Sequence, residues 1–274
     1  PNDKPANLLA SVRITSLPGA GNLTLSGVAV ASNQFVSAAN ISAGNLRFTP
    51  SANASGAGYA SFTFRVQDDG GTANGGVDLD TVARTMTIDV ASVNDAPSGT
   101  SKTVTTPEDV NYVFTAADFG FSDTSDTPAH TLAAVRIAVL PGAGTLLLDG
   151  FAVGNGQFIA VADINAGKLA FAPAADANGT GYASFLFQVQ DSGGTSNGGV
   201  DLDPVARTIT VNVTSVNDPP TGSDNTVVMA EDGFYVFAVA DFGFSDPNDS
   251  PGNAMSHVRI TSLPGAGSLT LSGV

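Results

Sequence analysis

Acidic side chains carry most of the chemistry open to this chain. Of its 25 acidic residues only Glu108 and Glu231 are glutamates. Short Asp side chains suit turns and calcium loops, whereas salt-bridged helices favour Glu. The acids recur at fixed places. Glu108-Asp109 returns as Glu231-Asp232, Asp118 and Asp123 as Asp241 and Asp246, and Asp126 as Asp249, with Asp3 at the corresponding earlier position. Asp68 returns as Asp191, and Asp78 and Asp80 as Asp201 and Asp203. Asn94-Asp95, inside Ser92-Val93-Asn94-Asp95-Ala96-Pro97, returns as Asn217-Asp218 inside Ser215-Val216-Asn217-Asp218-Pro219-Pro220. Calcium takes about six to eight oxygens from carboxylates, amide carbonyls and backbone carbonyls. A joint that brings Asp191, Asn217, Asp218, Asp241 and Asp246 together would supply them. The plainer reading of Asn-Asp-Ala-Pro is a turn before a proline, which needs no ion.

Other chemistries find little to work with. Hydrolase triads and zinc sites usually draw on His or Cys. There is no cysteine, and the two histidines are His130 and His257. In the repeat, His130 aligns with Asn7 and Asn253, and His257 with Ser11 and Ala134. Both histidines are expected to be exposed loop or strand residues. Asp201 and Asp203 would serve a glycosidase only with a cleft and an acid of raised pKa, and nothing in the sequence suggests either. The expectation is a non-enzyme with no catalytic residues. A formal net charge of −15 argues against nucleic acid and anionic membrane surfaces as partners. No apolar run reaches the roughly 18 residues a membrane-spanning helix requires.

The elements that must hold these acids repeat every 123 residues. Leu17-Pro18-Gly19-Ala20-Gly21 returns at Leu140–Gly144 and Leu263–Gly267, and Phe119-Gly120-Phe121-Ser122-Asp123 returns at Phe242–Asp246. A fixed period marks an array of units, and a unit of this length buries its own core. The expected domains are a partial module at 1–97, a complete module at 98–220 and a partial module at 221–274. Pro1-Asn2-Asp3 aligns with Pro247-Asn248-Asp249, and Gly273-Val274 falls inside a hairpin.

The complete module reads as all-β. Val135, Ile137 and Val139 alternate with polar or small residues. Thr145 to Leu148, Asp149-Gly150 and Phe151 to Val153 read as a hairpin. Val161 to Gly167 reads as one short helical turn and Lys168 to Phe171 as a strand. In Tyr182 to Gln190, Phe185, Phe187 and Val189 share one face; Phe62, Phe64 and Val66 repeat that face in the first module. Arg207 to Val213 turns Ile209, Val211 and Val213 inwards. About seven short strands with Gly-rich turns predict tandem β-sandwich modules of immunoglobulin-like or cadherin-like topology.

The order Glu108, Ala117-Asp118, Gln190-Asp191, Val216-Asn217-Asp218-Pro219 resembles the calcium-binding order of cadherin repeats. The middle of the module is similar to chondroitin-sulfate-proteoglycan-type repeats, through Leu140-Pro141, Gly144-Thr145-Leu146, Asp163-Ile164, Gly167-Lys168-Leu169, Phe171-Ala172-Pro173 and Phe185 to Asp191. The chain also resembles the tandem cadherin-like repeats of large bacterial RTX-type surface adhesins. The match is not uniform. Ser92 and Ser215 stand where the cadherin linker has its first Asp, Asp118 and Asp123 are five residues apart rather than two, and no Leu-Asp-Arg-Glu segment is present.

That resemblance implies Ca2+ as the bound ion. The candidate metal ligands are Asp68, Asn94, Asp95, Glu108, Asp109, Asp118, Asp123, Asp191, Asn217, Asp218, Glu231, Asp241 and Asp246. The expected role is a structural, calcium-stiffened stalk in an extracellular, secreted or surface-attached bacterial protein, with neighbouring modules of the same chain as partners. Two alternatives stand beside it. One is a subunit of an extracellular filament, in which partial end modules of different chains dock and self-associate into fibres. The other is a module that binds a glycan or a protein.

Overall fold

A computed structural model describes residues 6–249 and 251–272. The expectations placed on Pro1–Asp3 and on Gly273-Val274 lie outside the described residues. The chain forms two compact units. One takes in residues 1–97 with 122–131 and 191–202; the other takes in 98–121, 132–190 and 203–274.

The first unit holds a β-sandwich. Its strands are β1 (Leu9–Ile14), β2 (Asn22–Leu25), β3 (Val28–Ala29), β4 (Phe35–Ser37), β5 (Leu46–Thr49), β6 (Gly56–Asp68) and β7 (Arg84–Val90). They form a four-stranded sheet ordered β4-β1-β6-β7 and a three-stranded sheet ordered β3-β2-β5. The short helix α1 (Ala38–Ser42) follows β4, and the Ser37 hydroxyl caps it by accepting from the Asn40 amide. Ile14, Leu23, Val36 and Phe62 form the core between the sheets.

The second unit repeats this plan more fully. Its strands are β8 (Lys102–Pro107), β9 (Tyr112–Val113), β10 (Leu132–Val139), β11 (Thr145–Leu148), β12 (Phe151–Ala152), β13 (Phe158–Ala160), β14 (Leu169–Ala172), β15 (Gly179–Asp191) and β16 (Arg207–Thr214). The sheets are ordered β13-β10-β15-β16-β8 and β12-β11-β14-β9. β10 pairs antiparallel with β13, β11 with β12 and β14, β14 with β9, and β15 with β16, whereas β16 and β8 run parallel from Ile209↔Lys102 to Thr214↔Pro107. The alternation of the sequence is realised directly: Phe185, Phe187, Val189, Ile209, Val211 and Val213 are all buried in one core. At the β11–β12 hairpin Asp149 and Gly150 take φ of 52° and 84°. Two positive φ values in succession are what a tight, right-twisted hairpin requires. The helix α2 (Val161–Asn165) buries Ile164, as the predicted helical turn would.

β8, β9 and the 3-10 turn Ala116–Phe119 were not predicted as elements. They complete the second core. Phe119 packs edge-on against Phe187 at 5.0 Å between ring centroids, and Phe114 meets Phe185 at 5.6 Å. Among the described residues the first module has no counterpart of this segment. There the expected inner face is only partly realised: Val66, counterpart of fully buried Val189, is 40 % exposed. From Thr221 to Ser272 the described residues form a 3-10 turn at Val239–Phe242 and a bridge between Thr221 and Ser245, with no strand.

Candidate metal centres

The linker residue Asn94 is buried, with 8 % of its surface exposed. Its Nδ2 donates to Asp191 Oδ1 at 3.1 Å, to Asp191 Oδ2 at 3.3 Å and to the Val200 carbonyl at 2.7 Å. Asp191 therefore meets the linker that precedes it in the chain; the expectation had set it against the following one. The next linker residue, Asp95, donates its amide to Asp126 Oδ2 at 3.0 Å. Asp123 and His130 close the group, with the His130 amide donating to Asp123 Oδ2 at 2.6 Å. One ligand atom each from Asp123, Asp126 and His130 lies within 4.8 Å of the others. Burial, reinforced by the charge of Asp123, pushes the Asp191 carboxyl up from its ordinary value against the hydrogen bonds from Gly193 and Asn94. These residues all belong to the first unit.

His130 corrects one expectation. Its side chain is 29 % exposed and sits among carboxylates rather than out in solvent. Asp126, which recurs as Asp249, also joins this group although it is not one of the thirteen candidate ligands. For His130 the repeat was misleading, because its counterparts are asparagines.

A second group lies in the other unit. Ligand atoms of Asp109, Asp176 and Asp218 fall within 4.8 Å of one another. Burial raises the Asp218 carboxyl above its ordinary range, and the charges of Asp176, Asp109, Asp249 and Glu108 push the same way. Glu108 is buried nearby. It accepts from Asn178 Nδ2 at 3.0 Å and from the Val216 amide at 2.6 Å, bonds that hold its carboxyl below the usual value. Asp218 donates its amide to Asp249 Oδ1 at 3.2 Å. Asp246 accepts from the Asn253 amide at 2.8 Å, and Asn217 Oδ1 accepts from Asn253 Nδ2 at 2.6 Å. Asp176 was missed because its first-module counterpart is Asn53.

Four candidates stand apart from both groups. Asp118 Oδ1 accepts from Lys102 Nζ at 2.7 Å and Asp118 Oδ2 from the Thr115 amide at 2.8 Å, so it caps the 3-10 turn and pairs with a base. Asp241 repeats that cap, accepting from the Ala238 amide at 2.7 Å and from the Tyr235 hydroxyl at 3.1 Å. Glu231 is exposed on a turn. Asp68 occupies the Asp191 position of the first module, where it accepts from the Gly70 amide at 2.9 Å.

The fold is a tandem, all-β, immunoglobulin-like sandwich whose acids gather in strand-end loops. A family model described as bacterial Ig domain matches residues 2–80, so this stretch is similar to the structural repeats of bacterial surface proteins. No curated protein matches the chain. Among the described residues no helix is long and apolar enough to cross a membrane.

Proposed function

We propose that the chain is a non-enzymatic stalk segment of a long secreted or surface-attached bacterial adhesin, stiffened by calcium at its linkers. One observation carries the reading: Asp218, a linker residue, brings its carboxylate within 4.8 Å of those of Asp109 and Asp176. Like charges so placed repel, and burial of Asp218 adds to the penalty. A calcium ion bridging them would remove the repulsion and tie the linker to the loops of the module before it. Glu108 and Asp249 stand next to the group as further carboxylates. The donors are all oxygens, which is the set calcium selects.

Calcium titration by calorimetry tests this. Wild type is expected to bind calcium, and Asp176→Asn and Asp218→Asn each to weaken that site about tenfold or more. Calcium that leaves both the heat signal and the melting temperature unchanged would overturn the reading.

A head-to-tail fibre is the second reading. Phe237, counterpart of fully buried Phe114, is 48 % exposed, and Val66 on β6 is exposed as well. Both surfaces are apolar, and in a fibre each would bury the other between neighbouring chains. Concentration-dependent polymers in light scattering would support it, and a monomer at all concentrations would exclude it.

A further inference from the structure

The cluster around Asn94 differs from the calcium-type cluster in one kind of donor atom. His130 Nδ1 lies 3.6 Å from both Asp123 Oδ2 and Asp126 Oδ2. That is too long for a hydrogen bond, and Nδ1 is buried with no partner. Asn94 Oδ1 and Asp123 Oδ1 are also buried without a partner. The Asn94 amide cannot turn over to relieve this. The Asp191 carboxylate and the Val200 carbonyl only accept, so Nδ2 must face them and Oδ1 must face away. A Cβ built on Gly193 would run into Asn94 Oδ1 and stand 2.6 Å from His130 Nδ1, so both atoms converge on one point. Asn94 Oδ1 and Asp123 Oδ1 each offer lone pairs there, as His130 Nδ1 does when the ring proton is on Nε2.

In the next repeat the linker amide oxygen has a partner, although Asp246 Oδ1, like Asp123 Oδ1, is buried without one. Asn253 stands where His130 does, and its Nδ2 donates to Asn217 Oδ1, the counterpart of Asn94 Oδ1, at 2.6 Å and to Asp249 Oδ2 at 3.1 Å. Replacing that donor by an imidazole removes the hydrogen bond to the linker amide and puts a nitrogen lone pair in its place when the ring carries its proton on Nε2.

We infer that this cluster binds a divalent first-row transition-metal ion through His130 Nδ1, Asp123, Asp126 and Asn94 Oδ1. Imidazole nitrogen with carboxylate oxygen suits zinc, nickel or copper, whereas calcium takes oxygen alone. In a tetrahedral zinc site, bonds of about 2.0–2.1 Å set the donor atoms roughly 3.4 Å apart. The 3.6 Å separations at His130 need close by only a few tenths of an ångström. Backbone amides already hold the carboxylate oxygens nearest Nδ1, that of His130 donating to Asp123 Oδ2 and that of Asp95 to Asp126 Oδ2, as outer-sphere donors orient metal ligands. The inference shares the acid-rich loops with the calcium reading but does not depend on it.

Zinc is the probe. The metal-free 274-residue chain is titrated with zinc at a pH where imidazole is neutral, alongside His130→Asn and His257→Asn. His130→Asn installs the side chain that the next repeat already carries at this position. Wild type and His257→Asn are expected to bind one zinc ion with equal affinity, and His130→Asn to bind it at least tenfold more weakly. The ring nitrogen resonances of His130 should shift on zinc addition while those of His257 stay in place. Unchanged zinc affinity in His130→Asn, or unmoved His130 resonances, would overturn the inference. The calcium response of each variant is read in parallel. Zinc binding at His130 without any calcium response would sink the calcium reading alone.

Discussion

The Asn94 side chain donates to the Val200 carbonyl at 2.7 Å, and the Val200 amide donates back to the Asn94 carbonyl at 2.9 Å. This reciprocal pair spans 106 residues of sequence. It pins the linker to the loop that follows β15 and turns a run that reads as a simple turn into part of a built site. Asn94→Ala would leave the Asp191 carboxylate and the Val200 carbonyl without their donor. A loss of about 1–3 kcal/mol is expected, seen as a lower melting temperature of the first unit. An unchanged melting temperature would mean the linker is not held by this bond.

Gly193 tests the same site sterically. A Cβ there meets the Asn94 amide and His130 Nδ1. Gly193→Ala should therefore destabilise by about 1–3 kcal/mol, as overpacking does, and weaken zinc binding together with it. Gly194→Ala is a poor control because Gly194 has φ of +71°. Gly142, which has open space and no positive φ, is the suitable one.

Phe119 closes the second core from a 3-10 turn, with no exposed surface and ring contacts to Phe114 at 5.8 Å and Phe187 at 5.0 Å. Phe119→Ala should cost about 3–5 kcal/mol. Thermal melting would show it. A small effect would mean the Phe187 face of β15 is stable without the Phe119 ring over it.

The strands that could be read in the sequence are those whose pattern is local. Phe185, Phe187 and Val189 announce β15 by strict alternation, and Asp149-Gly150 announces its hairpin. β8 could not be read this way. Lys-Thr-Val-Thr-Thr-Pro carries little apolar alternation, and the strand exists because Val104 and Thr106 add in parallel to β16, about a hundred residues away. The acids divide on the same line. Recurrence at 123 residues found the linker pair and Asp123, but it also selected Asp118 and Asp241, whose recurrence reflects capping of a 3-10 turn. It hid His130, which departs from the repeat, and so chemistry specific to one module was the part least visible.

Asp118 gives a pH prediction. Burial works to raise its carboxyl, but Lys102 and the Thr115 groups prevail and hold it below its ordinary value. A carboxyl depressed in the folded state adds stability that is fully present above the unfolded value of about 3.9 and is lost as pH falls through the folded one. Asp118→Asn should thus melt below wild type at neutral pH. The gap should close as the pH drops below about 4. A gap that stays constant down to strong acid would assign the effect to lost capping geometry rather than charge.

On the calcium reading, a cation at the linkers stiffens the chain. Small-angle scattering of the 274-residue segment, with calcium and then with excess chelator, tests it most directly. A larger maximum dimension with calcium, a shorter and more broadly distributed one with chelator, and loss of that difference in Asp218→Asn are the predicted results. Identical scattering curves in calcium and in chelator would contradict it.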